Sequence, residues 1–104
     1  LKFKMKLIFG NPGSGKTKAL LALSEKNNIP ILCESEARVQ RLLVKASNYG
    51  YHVPTPVTVA DLNADVKEVY VDDIKRLLEV VLRVDLAGIT VNRDDALQIE
   101  DLDS

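Results

Sequence analysis

The junction around Gly10 constrains the fold more than any other segment. Before it, Phe3, Met5, Leu7 and Phe9 alternate with Lys2, Lys4 and Lys6, and the run turns continuously apolar at Leu7-Ile8-Phe9. A period of two reads as a strand that enters a core and stops at Gly10. After the loop the apolar spacing lengthens. From Lys16, the residues Ala19, Leu20 and Leu23, with Ala22 beside them, mark one face of a helix that fades at Asn27-Asn28. A strand passed into a helix through a short glycine-rich loop opens a βα unit, and the chain must then cross back to the sheet.

The rest of the chain repeats this alternation. Ile29-Pro30-Ile31-Leu32-Cys33 reads as a buried strand, with Pro30 at its first positions because proline cannot donate to a central ladder. Ser35 is placed to cap a second helix with Val39, Leu42, Leu43 and Ala46 as its buried stripe, Arg38, Arg41 and Lys45 on the other side, and Gly50 as its stop. Pro54 and Pro56 punctuate an extended piece ending at Val57, and Thr58-Val59-Ala60-Asp61 has a capping-box pattern that predicts one helical turn through Leu62. Glu68 to Asp73 reads as a third strand. Ile74 to Leu86 reads as a helix with Ile74, Leu77, Leu78, Val81 and Leu82 on one face, closed at Gly88, and Ile89 to Asn92 as a fourth strand. Beyond Arg93 the chain turns acidic, and the reading stays open between an edge strand and a tail over 94–104.

These elements predict one domain over residues 1–104 with an α/β fold. The expected architecture is a three-layer α/β/α sandwich on a mainly parallel sheet of four or five strands. Ligands of such sheets sit beyond the carboxyl ends of the strands, and Gly10, Asp72 and Asn92 all fall at such ends.

Composition sets the surroundings. Hydrophobic residues make up 46% and charged residues 28% of the 104, the balance of a globular chain, and no apolar run is long enough to span a bilayer. A single cysteine, Cys33, allows no intramolecular disulfide and fits a reducing compartment, so a cytoplasmic setting without membrane contact is expected. A formal net charge of −1 argues against coating nucleic acid by bulk electrostatics, though the basic face of Arg38, Arg41 and Lys45 keeps a local contact with phosphates open. Charge is uneven: Lys2, Lys4 and Lys6 crowd one end, and Asp94, Asp95, Glu100, Asp101 and Asp103 the other. Met5 stands where a natural start would, which makes Leu1 to Lys4 an expected upstream extension.

The chemistry lies in Gly10-Asn11-Pro12-Gly13-Ser14-Gly15-Lys16-Thr17, a complete G-x-x-x-x-G-K-[ST] loop with a strand before it and a helix after it. Phosphate oxygens carry concentrated negative charge and need several donors at once. Glycine lets successive backbone N–H groups turn inward, and Gly13, Ser14, Gly15, Lys16 and Thr17 are expected to supply them at the positive end of the helix dipole. Lys16 is expected to neutralise the β- and γ-phosphates, and the Thr17 hydroxyl to ligate Mg²⁺. Val69-Tyr70-Val71-Asp72-Asp73 adds a buried strand ending in an acid, so Asp72 is the second expected Mg²⁺ ligand.

These motifs resemble the P-loop NTPase superfamily over residues 5 to 93. Within it they resemble the additional-strand branch that holds helicases and AAA-type and RecA-type ATPases. The features are the phosphate loop, the Asp72-Asp73 doublet and the polar Asn92 closing the next strand. In size the chain is similar to the compact P-loop proteins that phages and mobile elements encode. The resemblance implies ATP as ligand and Mg²⁺ as cofactor. It implies a γ-phosphate-sensing role for Asn92, which is equally read as a turn residue. It also implies a water-orienting role for Asp73, where such ATPases usually place glutamate; aspartate is one methylene shorter, and a helix N-cap for the segment from Ile74 stays open as the other reading. The family's helical lid, second sensor and arginine finger have no counterpart, Arg93 being the nearest candidate for a finger. An arginine from a second copy or a partner protein is therefore expected to accelerate turnover.

The expectation is Mg-ATP binding with slow hydrolysis, possible service in nucleic-acid metabolism being one context for it. Two alternatives are carried: a non-hydrolysing nucleotide switch or adaptor, and a small kinase, for which no arginine cluster follows a helix. No Asn-Lys-x-Asp segment of the guanine-specific type is present, which favours ATP. His52, with no second histidine and no acid at ligand spacing, is not expected to hold a metal. Tyr49 and Tyr51 are expected to pack on the core in preference to stacking on a base.

Overall fold

The computed structural model describes residues 5–93 and 97–103; Lys2, Phe3 and Lys4 of the expected first strand and Asp94, Asp95 and Ala96 of the acidic segment lie outside the described residues. In chain order the elements are β1 (Met5–Phe9), α1 (Lys16–Asn27), β2 (Ile31–Cys33), α2 (Glu36–Tyr49), β3 (Val57–Thr58), a 3-10 turn (Val59–Asp61), β4 (Tyr70–Val71), α3 (Ile74–Leu82) and β5 (Leu97–Asp101). It is an α/β protein whose strands run parallel in two small sheets. The chain divides into two units, one of Leu1–Lys16 with Ala87–Ser104 and one of Thr17–Leu86.

In the first unit β1 pairs in parallel with β5, in a register running from Met5 opposite Leu97 to Phe9 opposite Asp101. The Leu102 N–H donates to the Phe9 carbonyl at 2.9 Å and carries the ladder one step further. The choice left open after Arg93 therefore falls to a strand from Leu97. The expected strand at Ile89 to Asn92 does not form, and the segment is irregular. Ile89 and Val91 are 55% and 40% exposed. A short β-branched run gains from strand geometry only when neighbours take its hydrogen bonds and bury its side chains, and no strand among the described residues pairs with this one.

In the second unit β2 lies between β3 and β4, with Leu32 opposite both Val57 and Val71. Pro30 immediately precedes β2, where it acts as an acceptor only: its carbonyl takes the Tyr70 N–H at 3.0 Å. The core is Leu20, Leu21, Ile31, Cys33, Val39, Leu42, Ala46 and Leu77. On α1 the buried stripe is Leu20, Leu21 and Ser24 in place of the expected Ala19, Leu20 and Leu23. Ser24 sets this rotation, because its hydroxyl donates to the Ile29 carbonyl at 2.6 Å while the Ile29 N–H donates to the Ser24 carbonyl at 3.2 Å.

Helix α2 begins and ends at the expected caps. Ser35 is extended and accepts from the Arg38 N–H, and Gly50 takes the left-handed conformation with its N–H on the Ala46 and Ser47 carbonyls. Its buried side differs, since Arg38 joins Val39, Leu42 and Ala46 there. Thr58 precedes the 3-10 turn, but its hydroxyl donates to the Asp61 carboxylate at 3.0 Å and makes no hydrogen bond to the turn's backbone. Helix α3 stops at Leu82, one turn short of the expected end, because Arg83 swings into the left-handed region with its N–H on the Glu79 carbonyl. The Glu79 carboxylate then takes the Leu86 N–H at 2.7 Å, which fixes the reversal. Of the expected apolar face of α3, only Leu77 is buried; Ile74, Val81 and Leu82 are exposed.

Candidate functional site

In the first unit, β1 ends at Phe9 and the loop from Gly10 leads to Lys16 at the start of α1. Gly13 and Gly15 adopt φ of +84° and +95°, the left-handed region where a side chain would be strained, and these two glycines let the loop coil on itself. The Ser14 N–H donates to the Asn11 carbonyl at 3.0 Å and closes the turn between them. Gly10 is needed for a different reason, because a Cβ there would fall on the Ser14 hydroxyl. That hydroxyl is buried without a hydrogen-bond partner among the described residues. The Lys16 ammonium folds back over the loop, donating to the Gly10 carbonyl at 2.6 Å and the Asn11 carbonyl at 2.8 Å. The Asn11 N–H donates to the Asp103 carboxylate, so an acid just past β5 sits on the loop's backbone.

In the second unit, the Thr17 hydroxyl donates to both oxygens of Asp72, at 3.1 Å to Oδ2 and 3.3 Å to Oδ1, across 55 residues of sequence. Thr17 lies in the first turn of α1, and Asp72 is the residue after β4. The Arg38 guanidinium reaches the same carboxylate: Nη2 donates to Oδ2 at 2.5 Å, and both side chains are 10% exposed. Arg38 Nε is buried and has no hydrogen-bond partner among the described residues. Burial pushes the nearby Cys33 thiol up to about 11, with the Glu34 charge adding to the rise and the Arg38 charge opposing it.

Asp73 adopts a left-handed conformation at φ 62° and caps α3, its carboxylate accepting the Arg76 N–H at 3.2 Å. Of the two roles open to Asp73, this geometry displays the capping one. Asn92 lies exposed in irregular chain within the first unit. Tyr49 and Tyr51 pack as a tilted pair with ring centroids 5.9 Å apart, and Lys18 Nζ lies 5.2 Å over the Tyr49 ring. His52 has its N–H on the Glu25 carboxylate at 2.5 Å.

Arg38 is the participant that sequence reasoning missed. Its charge groups it with Arg41 and Lys45 on an outer basic face, whereas it is buried while Arg41 is exposed. The signal was present in its spacing, since Arg38 precedes Leu42 by four residues and Ala46 by eight and so shares their stripe.

Among the described residues no group of three or more His, Cys, Asp or Glu side chains is placed to hold a metal ion. Thr17 and Asp72 offer one hydroxyl and one carboxylate. Those are the hard oxygen donors Mg²⁺ prefers, and few enough that water and phosphate oxygens must complete its six ligands. No helix among the described residues is long and apolar enough to cross a membrane. The chain matches no protein-family model, no curated protein and no solved structure.

Proposed function

We propose that the chain binds Mg-ATP and hydrolyses it slowly. Gly10 to Thr17 takes the phosphates, Lys16 leaves the Gly10 and Asn11 carbonyls to meet the β- and γ-phosphates, and Thr17 and Asp72 hold Mg²⁺. The ion would neutralise charge on the phosphate oxygens. The observation that supports this reading most is the Thr17 hydroxyl on the Asp72 carboxylate at 3.1 Å. Two oxygen groups picked out by separate motifs, 55 residues apart, are hydrogen-bonded to each other. The reading extends to the fold, as a single nucleotide-binding sheet of four or five parallel strands inside a three-layer sandwich.

Hydrolysis needs a group that orients water, and Asp73 is the acid beside Asp72. Its carboxylate is hydrogen-bonded to the start of α3, so it must share its oxygens between cap and water. That commitment favours one second reading: a nucleotide-dependent switch that binds ATP without turning it over and changes its surface for a partner.

Calorimetry with Mg²⁺ and either ATP or GTP, on the native chain and on Lys16→Ala, tests the binding claim, and phosphate release from the same samples tests turnover. ATP binding lost in Lys16→Ala together with phosphate release supports the ATPase. Binding without release moves the conclusion to the switch. No binding to the native chain overturns both.

A further inference from the structure

Arg38 is hard to explain as a stabilising residue. A cation in the first turn of a helix opposes the macrodipole, and Arg38 is the third residue of α2. A buried ion pair seldom contributes more than a well-packed apolar pair would, since desolvating both charges offsets their attraction. Here the pair is also incomplete, because Arg38 Nε is buried with no partner among the described residues. A guanidinium presents donors in a fixed planar fork suited to carboxylate and phosphate oxygens alike, and this one uses Nη2 on Asp72 and keeps Nε in reserve.

The carboxylate it grips is the one that the nucleotide-binding reading assigns to Mg²⁺, and Thr17 donates to the same oxygen, Oδ2. A divalent cation and a guanidinium cannot both sit against one carboxylate oxygen without strong repulsion. We propose that Arg38 is a built-in competitor of the metal: it holds Asp72 while the site is empty and gives it up only to a cation that arrives with a polyphosphate. The polyphosphate supplies the oxygens that take the guanidinium in exchange, so metal and nucleotide bind together and neither well alone. The inference rests on the nucleotide-binding reading, which is what assigns Asp72 to the cation; the grip of Arg38 on that carboxylate is its structural ground.

Two measurements test it. In the first, Mn²⁺ alone is titrated into the native chain and into Arg38→Gln, with free Mn²⁺ read by electron paramagnetic resonance and folding checked by circular dichroism. Removing a cation in contact with a carboxylate shifts that carboxylate's affinity for positive charge by about tenfold or more, so Arg38→Gln is expected to bind Mn²⁺ at least ~10-fold more tightly. Arg38→Gln with Asp72→Asn is expected to lose the gain. Equal Mn²⁺ affinity in the native chain and Arg38→Gln overturns the competition.

The second measurement uses the native chain and does not depend on whether Arg38→Gln folds. The Nε–H resonance of Arg38 is followed by NMR as Mg²⁺ alone and then Mg-ATP is added. It is expected to stay in place with Mg²⁺ and move with Mg-ATP. An unmoved Arg38 resonance while the Gly13 and Gly15 amides shift overturns the exchange. If those amides do not shift either, it is the nucleotide-binding reading that has failed, and the Mn²⁺ titration decides the competition by itself.

Discussion

The Thr17 hydroxyl and the Arg38 guanidinium both donate to Oδ2 of Asp72, from the first turns of α1 and α2 respectively. One carboxylate at the end of a two-residue strand thus fastens two helices, and both of its partners are polar side chains held largely away from water. Asp72→Ala should leave the Arg38 charge buried and unpaired. It is expected to destabilise the native state by about 3 kcal/mol, read as a lowered urea midpoint at unchanged slope. Replacing both members, Asp72→Leu with Arg38→Met, should recover most of that loss, because the penalty comes from the orphaned charge. A double variant as unstable as Asp72→Ala would show that the pair itself holds the unit together.

Asp73 separates its two roles through two substitutions. Asparagine keeps an N-cap oxygen and tolerates the left-handed backbone, so Asp73→Asn should stay within about 0.5 kcal/mol of the native stability. Asp73→Ala should lose about 1 kcal/mol or more by removing the cap at a strained position. Loss of the charge in Asp73→Asn should slow phosphate release by about 100-fold if the carboxylate orients water. Equal release by Asp73→Asn and the native chain assigns Asp73 to capping alone.

Ser24 carries a test of the α1–β2 turn. Its hydroxyl and carbonyl exchange hydrogen bonds with the carbonyl and N–H of Ile29, and the residue is completely buried. Ser24→Ala removes the donor and leaves the part-buried Ile29 carbonyl without this hydrogen bond, which should lower stability by about 1 kcal/mol in thermal or urea unfolding. A loss below ~0.3 kcal/mol would mean that solvent reaches that carbonyl and the exchange is not what aligns the helix.

Cys33 predicts a pH dependence on the alkaline side. Its thiol is held in the folded chain at about 11, above the ordinary 9.0, because burial disfavours the thiolate. The folded state therefore keeps its proton where the unfolded state loses it. This contribution is complete below pH 9 and fades as pH rises from 9 towards 11. The urea midpoint of the native chain should fall between pH 8 and pH 10.5 more than that of Cys33→Ala. At pH 8 burial keeps the folded thiol more fully protonated than the unfolded one, so iodoacetamide should label the folded chain far more slowly than the urea-unfolded one.

Much of this arrangement was legible from local rules, and the reasons are specific. Ser35 and Gly50 are caps whose preference is set by their own backbone and side-chain chemistry, so α2 was bounded correctly at both ends. The Gly10 to Thr17 loop announces its coil through glycines that must take positive φ, as Gly13 and Gly15 do. What the sequence hid depends on distant partners. Ile89 to Asn92 has strand-forming residues but gains no ladder, and the end of α3 is decided by Arg83 and the Glu79 carboxylate reaching Leu86. Arg38 was hidden by its type, since a charged residue is assigned to solvent unless its opposite charge, here 34 residues away, is known to be beside it.

The parallel pairing of β1 with β5 also sets a schedule. Met5 leaves the ribosome 92 residues before its partner Leu97. At about 5–20 residues per second that is roughly 5–20 s during which β1 and the loop behind it have no ladder to join. Residues 17–86, with their own core, are complete and free to fold within that interval. The nascent chain thus passes through a stage in which residues 17–86 can fold while β1 has no partner, open to chaperones or to pairing with a neighbouring chain until synthesis delivers Leu97 to Asp101.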